Sequence, residues 1–202
     1  MFIQVIQGHV SDAAALRARL DLWQADIAAG ATGWLGSTGG VTGDGTFVGV
    51  VRFESAEAAQ RNSDRPEQGA WWSETSKLFT GEVTFHNCRE VLSYLRGGSD
   101  DAGFVQIIQG RVSDPARFRE MYDATDDERL AAFRPDLVGG TVGLHGDGGF
   151  TEAVYFTSEK AAREGEQKEP PAEMREEFEQ MMSLMQDVSY YDLSEPWLTS
   201  PR

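Results

Sequence analysis

A chain of 202 residues, 40% of them hydrophobic, can bury a core either as one mid-sized domain or as two of roughly 100 residues each. Its 33 acidic residues against 18 basic ones give a net charge of −15, which argues against a nucleic-acid or anionic-membrane partner, because phosphate binding needs a basic face. Cys88 is the single cysteine, so no internal disulfide or thiolate metal cluster is expected, and no apolar run approaches the ~20 residues of a membrane span.

In chain order, Phe2 to Gln7 is β-rich and bounded by Gly8, which predicts a strand. This N-terminus has no basic region or cleavage site, so a cytoplasmic location is expected. Asp12 is placed to cap a helix whose apolar residues Leu16, Leu20, Trp23 and Ile27 recur at helical spacing, with Gly30 and Gly33 ending it. A second strand covers about Trp34 to Val41, Gly43-Asp44-Gly45 supplies a tight turn, and Thr46 to Phe53 is the third strand. Ser55 caps a short helix, a longer helix follows, and Val83 to Phe85 is the last strand of the unit.

The same unit then returns. Phe104-Val105-Gln106-Ile107-Ile108-Gln109-Gly110 repeats the first strand 102 residues later, and Gly146-Asp147-Gly148 repeats the turn 103 residues later. Phe156-Thr157-Ser158 with Ala161-Ala162 repeats Phe53-Glu54-Ser55 with Ala58-Ala59, and Asp187-Val188-Ser189-Tyr190 repeats Glu82-Val83-Thr84-Phe85. The order β-α-β-β-α-β is a ferredoxin-like split. The expected division is a first repeat over residues 1–96, a Gly/Ser/Asp-rich linker over 97–103, and a second repeat over 104–202. The strands are apolar on both faces (Phe47, Val51 and Phe53 on one, Val48 and Val50 on the other), so each sheet needs a second cover. The simplest cover is the sibling repeat, and the expected architecture is α+β: two repeats packed sheet to sheet as an intramolecular pseudo-dimeric barrel, with the chain a monomer.

Several side chains carry chemistry in this frame. Asn62, just after a short helix, reads either as a turn or cap or as a donor to a phenol or enolate oxygen. Trp71 and Trp72 stand about 100° apart on a helix, so one is expected in the core while the other is exposed, packs against the other repeat, or lines a pocket suited to a flat aromatic ligand. His86, with Tyr191 at its place in the second repeat, is the best general-base candidate of the three histidines. Arg52, among hydrophobes on strand three, needs either a structural carboxylate or an anionic ligand. No metal-ligand spacing occurs, so no metal site is expected. Trp197 reads as a staple of the C-terminal tail.

The first strand, the Phe53-Glu54-Ser55-Ala56-Glu57-Ala58-Ala59 junction, and Asn62-Ser63-Asp64 with Trp71-Trp72 resemble the dimeric α+β barrel superfamily, in particular the antibiotic-biosynthesis-monooxygenase-like proteins. The resemblance spans nearly the whole chain. It implies a pocket between helices and sheet lined by a first-strand polar residue (Gln7 or Gln4), Asn62, and Trp71 or Trp72. It implies cofactor-independent oxygenation of a small aromatic or polyketide-like molecule. The alternative is a non-catalytic small-molecule-binding or structural barrel. No histidine stands where haem-degrading relatives hold iron, so no cofactor is expected. In the second repeat Gly165 faces Asn62 and the charged loop from Glu166 to Pro171 carries no tryptophan, which places the site in the first repeat.

Overall fold

The computed structural model describes residues 1–201; Arg202, the expected end of the second repeat, lies outside the described residues. In the first repeat, β1 (Phe2–Val10) leads into α1 (Ala13–Leu22), whose first turn is closed by Asp12 accepting the Ala15 amide at 2.8 Å. The helix runs on through a π-turn at Trp23–Ile27 and a tight turn at Ala28–Gly30. β2 (Trp34–Val41) and β3 (Thr46–Phe53) form a hairpin in which Gly45, at φ +87°, takes the left-handed position that other residues avoid. Ser55 caps α2 (Ala56–Ser63) by accepting the Ala58 amide, and Pro66 opens α3 (Pro66–Thr75) at a position where its missing N–H is not needed. β4 (Phe79–Cys88) and β5 (Glu90–Leu95) follow.

The second repeat reproduces these elements. They are β6 (Phe104–Val112), α4 (Pro115–Asp123), α5 (Asp127–Phe133), β7 (Leu137–Leu144), β8 (Gly149–Phe156), α6 (Glu159–Glu166), α7 (Ala172–Leu184), β9 (Met185–Leu193) and β10 (Trp197–Thr199). Asp114 and Ser158 repeat the caps of Asp12 and Ser55.

All strand pairs are antiparallel, in two five-stranded sheets ordered β10-β2-β3-β1-β4 and β5-β7-β8-β6-β9. Without its outer strand, each sheet has the ferredoxin-like order. The outer strands redraw the expected boundaries. Glu90–Leu95, expected to close the first repeat, pairs with β7 in the second sheet, and the tail strand Trp197–Thr199 pairs with β2 in the first. The compact units are accordingly Met1–Arg89 with the segment from Trp197, and Glu90–Pro196. The reason is local: Arg89 and the Ser194–Pro196 stretch each interrupt pairing, so the strand beyond each is free to serve a different sheet.

Within the first unit, alternation along β1 and β3 sends Ile6, Phe47, Val51 and Phe53 toward the helices and Ile3, Val5, Val48 and Val50 to the other face. Val10, Leu16 and Phe47 form one buried cluster on the helix side, while Phe2, Trp34, Phe53 and Ala58 form another. The second unit packs Phe118, Val142 and Phe150 in the first of these places and Phe104, Phe156 and Ala162 in the second.

Candidate functional site

The helix side of the first unit is not filled. A cavity of about 120 Å³ opens between the sheet and the helices. Its floor is β2 and β3 where Gly39 faces Gly49, a pair without side chains. Aromatic rings make the walls. Trp71 and Trp72 come from α3 with centroids 6.1 Å apart, Trp23 meets Trp71 at 6.5 Å, and Trp197 from β10 stacks on Phe47 at 6.1 Å. Both α3 tryptophans border the cavity, where only one was expected to, since Trp72 packs against Phe79 and Phe85 (6.0 and 5.4 Å) beside it.

The polar groups of these walls are tied down. Trp71 donates its indole N–H to the Arg19 carbonyl at 2.8 Å, and Arg19 returns a bond to the Trp71 carbonyl at 3.1 Å. Trp23, on the π-turn, donates to Gln68 Oε1 at 2.6 Å. A π-turn widens the helix by one residue and is frequent at functional sites; here it occupies the segment whose first residue is a cavity wall. Gln4 reaches the cavity from β1 and donates to Asn87 Oδ1 at 3.0 Å. Asn62, 7% exposed near the end of α2, lines the cavity and accepts from Arg65 Nη1 at 3.0 Å. Among the described residues the only ionisable side chains on the lining are Arg17 and Asp21, a pair 3.0 Å apart that is well exposed at the rim.

The structure thus brings together Gln4, Asn62, Trp71 and Trp72 around one cavity. It does not bring Gln7, His86 or Arg52 there. Gln7 and His86 share the opposite face of the sheet with Ile3 and Val5, since His86 is paired with Val5. Arg52 alternates away from Val51 and Phe53 onto that same face. It is 7% exposed, its Nε lacks a hydrogen-bond partner, and no carboxylate pairs with it among the described residues. The sequence placed these three on the right strands but not on the right face.

The corresponding place in the second unit is closed by residues that sequence reasoning missed. Glu152 stands where the first unit has Gly49, and Val142 faces it where the first unit has Gly39. Tyr94 of β5 donates to Glu152 Oε1 at 2.8 Å, and Tyr122 of α4 bonds the same carboxyl. Burial pushes the Glu152 carboxyl above its ordinary value, while the two phenols partly oppose the shift. Burial and the facing carboxyl push both phenols well above theirs. The Tyr94 ring lies so close over Gly140 that a Cβ there would come within 2.2 Å of it. The signal was legible: a glutamate inside the apolar run from Phe150 to Phe156, at a place where the other repeat has glycine.

No protein-family model matches the chain, and no curated protein matches it. Solved structures do. Over 98% of its length the chain is similar to a candidate monooxygenase of Lactobacillus acidophilus NCFM, with TM-score 0.72, 13% identity and 95% of that chain covered. A candidate monooxygenase of Fusobacterium nucleatum aligns over 98% of this chain and 94% of its own with TM-score 0.73 and 8% identity. The chain shares the fold of these solved structures. An anthrone oxidase-like protein matches with TM-score 0.60 and 14% identity, over 98% of this chain and 93% of that one. Identities this low speak for fold and not for chemistry. No helix among the described residues is long and apolar enough to cross a membrane, and no cluster of three or more His, Cys, Asp or Glu side chains is placed to hold a metal ion.

Proposed function

We propose that the cavity of the first unit binds a small aromatic molecule bearing a phenolic or enolisable oxygen and promotes its oxygenation by dioxygen. The observation that carries this reading is a buried Asn62 amide bordering a cavity walled by tryptophan rings. A cavity of this size is on the scale of one aromatic ring. A larger substrate would seat one ring inside and leave the rest across the Arg17–Asp21 rim. The amide would hydrogen-bond the oxygen as it gains negative charge, favouring the enolate without ionising itself. An activated ring carbon carrying two hydrogens would become a carbonyl. One atom of dioxygen enters as the carbonyl oxygen, the other leaves with both hydrogens as water, and dioxygen is the oxidant. The tryptophan walls would keep bulk water from the reacting carbon.

One observation favours a second reading, a binding module without chemistry: no ionisable side chain among the described residues lines the cavity inside its rim, where a base would sit. Tryptophan fluorescence titration and oxygen uptake with a panel of phenols separate the two. Quenching together with uptake, cut on the order of 100-fold by Asn62→Ala, supports oxygenation. Quenching without uptake on any substrate leaves the binding module, and no quenching by any phenol sinks both.

A further inference from the structure

Asn62 can serve the cavity only if its amide faces the right way, and the group that decides this lies outside the cavity lining. Arg65 follows α2 and is mostly buried. Its Nη1 donates to Asn62 Oδ1 at 3.0 Å, and its Nη1 and Nη2 both donate to the Ile27 carbonyl at 3.2 and 3.1 Å. Nη2 also reaches Glu67 Oε1 at 3.3 Å. The Ile27 carbonyl belongs to the last residue of the π-turn. Glycine at position 30 makes room for this arrangement, for a Cβ there would lie 2.3 Å from Arg65 Nη2.

A guanidinium has donors and no acceptor, so the Asn62 atom it meets must be the carbonyl oxygen. The NH2 end of the same planar group then turns away from Arg65, toward the cavity that Asn62 lines. We propose that Arg65 is a positioning residue: it fixes the Asn62 amide as a hydrogen-bond donor to the ligand oxygen, and couples that orientation to the π-turn that carries Trp23. This rests on the functional reading above. The second unit shows the alternative arrangement. Asn62 is replaced by Gly165, a Cβ at that glycine would lie 2.5 Å from Arg134 Nε, and Arg134 is committed to Asp136 at 2.7 Å. There a guanidinium fills the place of the amide, where in the first unit it orients one.

The test uses 4-nitrophenol, a single-ring phenol whose absorbance reports its ionisation, bound to the full chain and titrated with pH. Wild type is expected to favour the phenolate and lower the apparent pKa of the bound phenol. Arg65→Met, which keeps the apolar stem, is expected to lose about tenfold of that preference, about one pKa unit, while still binding the neutral phenol. Arg65→Lys is expected to recover part of it. Asn62→Asp keeps a partner for Arg65, and so the local fold, but presents only acceptors; it is expected to reverse the preference. A wild-type shift that survives unchanged in Arg65→Met overturns this assignment and leaves the functional reading standing; one that survives unchanged in Asn62→Asp overturns both. Failure of wild type to bind the phenol at all overturns the functional reading, and this assignment with it. Circular dichroism melts of each variant distinguish loss of orientation from loss of fold.

Discussion

The two units carry the same strands, caps and hairpins, and they differ where a ligand would sit. In the first unit a glycine pair forms a floor and tryptophans stand around a space; in the second, Glu152, Tyr94 and Tyr122 fill the corresponding place with a buried hydrogen-bonded cluster. The edge strands reinforce the contrast. β10 brings Trp197 to a cavity wall, whereas β5 brings Tyr94 to a plug. The lesson is that one ferredoxin-like frame tolerates either an open or a closed helix–sheet layer, because backbone pairing holds the frame and a few side chains decide the contents.

Transplanting the plug should produce the largest effect. Gly49→Glu puts a carboxyl on the floor of the first unit without the phenols that satisfy Glu152, and its Cβ alone would meet the Phe47 ring at 2.8 Å. A loss of about 3–5 kcal/mol is expected from urea denaturation, together with loss of phenol binding. Adding Leu20→Tyr and Thr199→Tyr, at the places of Tyr122 and Tyr94, should recover part of the stability but none of the binding. Full binding in the triple variant would mean that the cavity is not set by this floor.

Taking apart the natural plug is next in size. Tyr94→Phe removes the 2.8 Å bond to a buried carboxyl, and a loss of about 1–3 kcal/mol is expected. An unchanged denaturation midpoint would show that the cluster does not help hold β5 in its sheet.

The same cluster has a pH signature. The Glu152 carboxyl lies above its ordinary value of 4.5 when folded, so the folded chain keeps a proton that the unfolded chain releases. The stability from this group is complete below about pH 4.5 and is lost as pH rises toward its folded value. Glu152→Gln should flatten that decline, so the stability of the variant relative to wild type should increase from pH 4 to pH 8. A difference that stays constant, or that shrinks as pH rises, breaks the assignment.

The smallest effect belongs to the rim. Arg17→Ala loses an exposed pair with Asp21 and a stack over the Trp197 ring at 5.5 Å, and should change stability by less than about 1 kcal/mol. A larger loss would mean that β10 is held mainly by this contact and not by its pairing with β2.

Much of the fold was legible because it rests on local chemistry. Asp12, Asp114, Ser55 and Ser158 cap helices through bonds reaching three residues along the chain, and Gly45 and Gly148 take positive φ in tight turns. The outer strands were not legible, because Glu90–Leu95 and Trp197–Thr199 are short and find partners far away in sequence. Of the candidate site, Asn62, Trp71, Trp72 and Gln4 meet at the cavity. His86, Gln7 and Arg52 do not, since adjacent strand residues point to opposite faces and a one-residue difference decides which. Arg65 was passed over because its importance lies in contacts to Ile27 and Asn62 that no spacing rule announces.

By itself the sequence determined the duplication, the α+β class and the unequal endowment of the two halves, for each of these is written in residue identity and short-range order. Only the tertiary structure decided that one half is hollow and the other plugged. Whether two glycines make a floor, or a glutamate finds two phenols, depends on which side chains the strands and helices bring to the same place, and those partners lie tens of residues apart.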